Sequence, residues 1–132
     1  MSMKVREVMK HVKTISLGSS VKDAARKMND HNIGSLIVLD GKKLVGIITE
    51  RDILGKITAL DKTPSKIPVS NIMTSKVIVT RPDDFIDDAV YLMIKNKIKK
   101  LPVIEDGEVV GMITSTDIVA NSDEIGQYYV FG

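Results

Sequence analysis

The sequence predicts a mixed α/β (α+β) fold: two copies of one β-α-β-β-α unit, packed sheet to sheet with pseudo-twofold symmetry. Three observations predict it. First, Gly46-Ile47-Ile48-Thr49-Glu50-Arg51-Asp52 recurs as Gly111-Met112-Ile113-Thr114-Ser115-Thr116-Asp117. Second, the recurrence extends along the chain. Val5 and Met9 fall on Val69 and Met73. After one inserted residue Val12, Asp23, Ala24, Met28, Ile33, Leu36, Val38, Val45, Gly46, Ile48, Thr49, Asp52 and Ile53 fall on identical residues. This is an internal duplication of about 64 residues, and two copies suggest a pair rather than an array. Third, each unit is too small to hide one face of its own sheet, so pairing the two sheets buries the Val/Ile/Leu surface.

Val5-Arg6-Glu7-Val8-Met9 is a short first element, and residues 12–16 read as a strand. Gly18-Ser19-Ser20 signals a turn and a helix start. Val21, Ala24, Ala25 and Met28 then form an apolar stripe at helical spacing over 21–31. Residues 35–39 and 43–49 read as strands joined at Asp40-Gly41, a tight hairpin signal. A helix is expected over 50–59. Pro64 and Pro68 mark a linker. The programme then restarts: 69–73 repeats the first element and 77–81 is a strand. Pro82-Asp83-Asp84 opens a helix with Ile86, Ala89, Val90 and Met93 inward. Residues 101–105 and 108–114 are strands around Asp106-Gly107, and a last helix starts near Ser115. The expected organisation is a first repeat over 1–60, a linker over 61–68, a second repeat over 69–124 and a tail over 125–132.

Composition narrows the function classes. Hydrophobic residues make up 43% and charged residues 27% of 132 residues, ordinary for a soluble globular protein. Aromatics are 4% and tryptophan is absent, so the core is built from Ile, Val, Leu and Met. With no cysteine there is no disulfide, thiolate nucleophile or cysteine-bound metal. A net charge of +2 makes no case for nucleic acid. The apolar runs fall far short of the roughly 20 residues a spanning helix needs. No signal peptide opens the chain, so a cytoplasmic protein is expected.

Each copy of the recurring stretch sets a threonine and an aspartate at a strand-to-helix junction. Thr-x-x-Asp there reads two ways. It is close to a capping box, the threonine accepting from a helix amide and the acid reaching back. It also suits an anionic ligand at free backbone amides. Repetition in a duplicated unit favours the second reading without excluding the first.

With Val69-x-x-Ile72-Met73, Met28-x-x-x-x-Ile33, Met93-x-x-x-x-Ile98, Leu101-Pro102-Val103 and the two Gly-x-x-Thr-x-x-Asp stretches in order, the chain resembles a tandem pair of CBS domains, a Bateman module. The resemblance runs from about Val5 to Asn121. It implies a stand-alone regulatory module and ligand sensor that binds adenosine compounds such as AMP, ADP, ATP or S-adenosylmethionine. No cofactor is required, and a homodimer and an unidentified regulated protein are the expected partners. By the resemblance, Asp52 and Asp117 accept from ribose hydroxyls, and Thr49 and Thr114 contact ribose or phosphate. An ionised carboxylate can accept from both hydroxyls of a cis-diol. Adenine contacts carry over to Val12, Thr14, Ile33, Leu36 and Ile47 in a first site. In a second they fall on Val77, Val79, Ile98, Leu101 and Met112. Lys99 and Arg51 match the family's phosphate-contacting positions for the second site, where the first has Gly34 and Thr116. The Thr114/Asp117 site is therefore expected to be the better one for a phosphorylated ligand.

Other groups have simpler readings. Lys95, Lys97, Lys99 and Lys100 read as a solvated helix end suited to the dipole; nucleic-acid binding is the alternative, without interleaved aromatics to support it. Asp83, Asp84, Asp87 and Asp88 read as a helix start rather than a metal site. His11 and His31 lack partners at ligand spacing. Met9, Met28, Met73 and Met93 sit at equivalent places and read as core. No nucleophile elbow or catalytic constellation appears, so an enzyme is not expected. Tyr128, Tyr129 and Phe131 in the tail either pack back or meet a partner.

Overall fold

Two compact units divide the computed structural model, and they are not the two sequence repeats. One, the central unit, is Val12–Val77; the other, the split unit, joins Met1–His11 to Ile78–Gly132. The structure describes residues 3–121 and 123, so the tail aromatics lie outside the described residues. The opening element of each repeat completes the core of the unit that holds the other repeat's strands and helices.

In the central unit, β1 (Thr14–Ser16) runs parallel to β2 (Ser35–Asp40), which pairs antiparallel with β3 (Lys43–Thr49). Helix α1 (Val21–His31) makes the crossover between the parallel strands. Ser20 caps it: its Oγ accepts from Asp23 N at 3.1 Å, and the Asp23 carboxylate accepts from Ser20 N at 3.4 Å. Asn32 ends it in the left-handed region, φ 52°. Val21, Ala24 and Met28 meet Leu36, Val38 and Ile48 of the sheet in one core. Val69 and Ile72, from the 3₁₀ turn Val69–Asn71 and its end, close that core. The stretch read as a linker is tied down: Ile67 O accepts from Val21 N at 2.8 Å and Ser19 O from Val69 N at 2.8 Å.

The helix expected over 50–59 is α-helical only over α2 (Glu50–Ile53) and continues as a π-helical turn, Leu54–Thr58. The Ala59 N–H donates five residues back, to Leu54 O at 2.8 Å. Ile57 is buried within that turn.

In the split unit, α3 (Ile86–Asn96) packs on the hairpin β4 (Lys100–Glu105) and β5 (Glu108–Thr114), and α4 (Ser115–Ala120) follows. Met3, Val5 and Val8 from the chain's start share its core with Ile86, Ala89, Met93, Leu101, Val103 and Ile113. The 3₁₀ turn Val5–Glu7 is held by Val5 N to Asp84 O at 2.8 Å and Arg6 N to Pro82 O at 2.9 Å.

The strand expected over 77–81 does not form; Thr80 alone bridges Val103. Two prolines account for this. In the central unit the ladder beside β2 includes Ile37 N to Lys13 O and Leu17 N to Leu39 O. The equivalents of Ile37 and Leu17 are Pro102 and Pro82, which have no N–H to donate. Only Thr80 N to Pro102 O and Ile104 N to Thr80 O remain, at 3.0 and 2.9 Å.

Two smaller corrections concern turns. Asp40 pairs with Lys43, so the first hairpin turns at Gly41-Lys42 and not at Asp40-Gly41. The second turns at Asp106-Gly107, with φ of 53° and 79°, the pair of positive values that Asp-Gly supplies. The helix expected to open at Pro82-Asp83-Asp84 starts at Ile86 instead. Asp84 is spent on the turn before it, accepting from Thr80 Oγ1 and Arg81 N, both at 2.9 Å.

Candidate functional site

In both units the threonine and aspartate of the recurring stretch form a true capping box. Thr49 caps α2: its Oγ1 accepts from Asp52 N at 3.1 Å, and Asp52 Oδ2 accepts from Thr49 N at 3.0 Å. Thr49 Oγ1 also donates to Oδ2 at 3.0 Å. Thr114 caps α4 with the same pair of backbone bonds, 3.1 and 3.0 Å, to Asp117. The strands deliver both threonines alike, Ser35 facing Thr49 and Lys100 facing Thr114 across the hairpins.

The cap uses one carboxylate oxygen in each copy and leaves Oδ1 outside it. Each Oδ1 faces a lysine that the sequence reading missed. Lys56 Nζ stands 3.2 Å from Asp52 Oδ1, and Lys10 Nζ stands 3.4 Å from Asp117 Oδ1. The aspartate side chains are only 13% and 10% exposed. Lys56 lies one helical turn beyond Asp52, a spacing that could have flagged it. Lys10 carries no local signal.

The glycine that opens each stretch has a packing role. A Cβ on Gly46 would stand 2.6 Å from Met73 Sδ and 2.9 Å from Thr74 O. On Gly111 it would stand 2.9 Å from Lys10 O and 3.0 Å from Met9 Sδ. The absent side chain lets the opening element of one repeat lie against the hairpin of the other. Thr74 and Ile47 exchange backbone bonds at 2.9 and 3.0 Å, as Lys10 and Met112 do at 2.9 Å each.

The remaining site candidates fall as follows. In the central unit Val12, Thr14, Ile33 and Ile47 are half-buried, while Leu36 is wholly within the core. Thr14 O accepts from Lys27 Nζ. In the split unit Ile98 is half-buried, Leu101 lies in the core and Met112 is buried at its backbone bridge to Lys10. Lys99 O accepts from Ser115 N at 2.9 Å, which sets Lys99 beside the Thr114 junction. Val77 belongs to the central unit. Val79 lines a cavity of about 640 Å³ that includes Asp106 and Gly107, at the turn end of the hairpin. Thr114 is at its other end. Arg51 is exposed and lines, with Ile33, Gly34 and Glu50, a cavity of about 680 Å³ between α1 and the α2–π segment.

The acidic group at 83–88 is occupied by structure. Asp83 pairs with Arg6 Nη2 at 2.7 Å, and Asp88 accepts from Phe85 N at 3.3 Å. The hydrogen bond from Arg6 holds the Asp83 carboxyl below the usual carboxylate range, and Asp83 in turn raises Arg6. Among the described residues no group of three or more His, Cys, Asp or Glu is placed to hold a metal ion. No helix among them is long and apolar enough to cross a membrane. In the lysine group, the Lys95 ammonium lies over the Tyr91 ring, 5.8 Å from its centroid, and Lys97 ends α3 at φ 54°.

The profile of the CBS domain matches residues 5–59 and again 69–124. The chain belongs to the CBS domain family. An uncharacterized protein of Methanopyrus kandleri is 36% identical over 121 residues, covering 89% of this chain and 62% of that protein. The chain thus spans less than two thirds of that relative's length. Among solved structures, a CBS-domain protein from Burkholderia ambifaria superposes with a TM-score of 0.85 at 28% identity, covering 97% of this chain and 99% of that one. A CBS domain pair in complex with 5′-methylthioadenosine and S-adenosyl-L-methionine gives 0.81 at 32% identity, covering 94% and 98%. A hexameric CBS-CP12 protein from bloom-forming cyanobacteria gives 0.84 at 30% identity, covering 93% and 74%.

Proposed function

We propose that the chain is a regulatory module that binds an adenosine-containing ligand at Thr49/Asp52 and at Thr114/Asp117 and passes the signal to a partner protein. The observation that carries this reading is the pair of nearly buried carboxylates, each with Oδ2 committed to a cap and Oδ1 free of it. Capping fixes the carboxylate; the second oxygen, which meets a lysine ammonium, can accept from a ribose diol in exchange for that contact. The related CBS pair that holds methylthioadenosine and S-adenosylmethionine supports an adenosine compound as the ligand class. An adenine nucleotide (AMP, ADP or ATP) is the first choice because Lys99 and Lys10 add positive charge at the Thr114 half-site. S-adenosylmethionine is the second reading, supported by that relative. Val12, Thr14, Ile33 and Ile47 are the adenine-side candidates of the Asp52 half-site. Ile98 and Met112 are those of the Asp117 half-site.

The module acts by ligand preference for one of two arrangements, and it can shift the balance only by that preference. It is proposed to work as a homodimer, with nucleic acid and catalysis disfavoured. Apolar side chains left exposed on helices of both units, Leu54, Tyr91, Ile94 and Val119, support association.

Calorimetric titration and thermal shift with AMP, ADP, ATP, S-adenosylmethionine and methylthioadenosine test the proposal. At a ligand concentration 100 times Kd, binding to the folded state adds about 2.7 kcal/mol of stability. Asp52→Ala and Asp117→Ala should each abolish one class of sites. No heat and no midpoint shift with any adenosine compound would refute it.

A further inference from the structure

Lys10 stands apart from the other lysines in how it meets its site. Its side chain is 69% exposed, yet its ammonium reaches a carboxylate that is 10% exposed. Among the described residues, Asp117 is the one carboxylate within ion-pair distance of it. Its backbone is fixed by the two bonds to Met112, and Gly111 leaves the space its carbonyl occupies. The residue is a long cationic side chain on a fixed root at the edge of the Asp117 half-site.

Resting on the adenosine reading above, we propose that Lys10 is a specificity-determining residue that makes the Thr114/Asp117 half-site select a phosphorylated nucleoside over an uncharged one. A ribose diol that takes up Asp117 Oδ1 competes with the ammonium for that oxygen. With an uncharged ligand the ammonium gives up its partner and gains none. A phosphorylated ligand supplies a replacement anion, which a lysine on a flexible stem turns to meet.

The central unit lacks this device although its Thr and Asp are the same. The repeat-equivalent of Lys10 is Thr74, which carries no charge. The cation at Asp52 is Lys56, which also donates to Ile72 O at 2.9 Å. That second bond tethers Lys56 and reduces what a ligand anion adds. The two half-sites thus differ in whether the counter-cation is free to turn to the ligand.

The test titrates AMP and adenosine, at low salt, against the full chain carrying Asp52→Ala, so that the Asp117 half-site is read alone. To this are added Lys10→Thr, which installs the residue of the other repeat, Lys10→Met, which keeps the stem, and Lys10→Arg. The AMP-over-adenosine preference should fall about fivefold in Lys10→Thr and Lys10→Met, the scale of one exposed charge contact. Because Lys10→Thr and Lys10→Met also remove the competitor for Asp117 Oδ1, adenosine affinity should hold or rise, by up to about fivefold, and Lys10→Arg should keep the preference. An unchanged preference, or equal loss of both ligands, would overturn the role of Lys10 while leaving the adenosine reading intact. Failure of the chain without any of these substitutions to bind either compound would overturn both.

Discussion

The central unit is one unbroken stretch, and the split unit is assembled from the start of the chain and its second half. They share a capped Thr-x-x-Asp, a hairpin with a bulge at the same place and a core of the same pattern. They differ in three things. The central unit has a third strand where the split unit has a single bridge. One hairpin turns on Gly41-Lys42 and the other on Asp106-Gly107. The carboxylates are faced by Lys56 from the same helix and by Lys10 from the opposite end of the chain. The lesson is that a duplicated motif fixes the cap but not the charges around it. Those come from whichever segment packs alongside, and packing segments are free to diverge.

The largest effect that bears on this comparison is expected at the paired glycines. Gly46→Ala and Gly111→Ala each place a methyl within 3.0 Å of a backbone carbonyl, which yields only if the segment moves. Each should cost about 1–3 kcal/mol in urea denaturation. Hydrogen exchange should separate them: Gly111→Ala loosens the amides of Val8, Met9 and Lys10, while Gly46→Ala loosens those of Ile72, Met73 and Thr74. A loss below about 0.5 kcal/mol in both would mean the close approach is not needed.

A smaller effect is expected from making the two sheets more alike. Pro102→Ile restores the donor that Ile37 supplies in the central unit. A new bond to Ile78 O should protect the residue 102 amide from exchange. Stability should change by less than about 1 kcal/mol, because one hydrogen bond gained is offset by greater freedom of the unfolded chain. An amide at 102 that exchanges as fast as an open one would show that something other than the missing donor prevents the strand.

The smallest effect concerns the clamp on the chain's start. The Asp83 carboxyl is held low by Arg6. A depressed carboxylate contributes stability above its unfolded-state range and loses it as pH falls through the lower folded-state value. Protection of the Val5 and Val8 amides should therefore decline only below the ordinary aspartate range. Asp83→Asn should remove that dependence, while the central unit's amides stay unaffected. An identical acid profile in the variant would rule the clamp out.

Much of this was legible in the chain. The stripe Val21, Ala24, Met28 forms α1 over the expected residues, and Thr49 and Thr114 cap helices as their spacing suggests. The strand at 77–81 was not, because Val77, Ile78 and Val79 have strand character while the ladder lacks two donors, one at Pro102 on the facing strand and one at Pro82 just after the segment itself. Arg51 and Val79 were placed by family position, and each lines a cavity within its own unit.

The sequence by itself determined the duplication, the hairpins, the caps and the carboxylate pair. The duplication shows as identities at a nearly constant offset, and each of the others is decided within a few residues by periodicity, turn chemistry or a side chain reaching its own helix. Only the tertiary structure decided which end of the chain completes which core, why Gly46 and Gly111 are glycines, and which lysine faces which aspartate. Those depend on surfaces brought together from distant parts of the chain, and an ammonium near a carboxylate leaves no period or spacing to read.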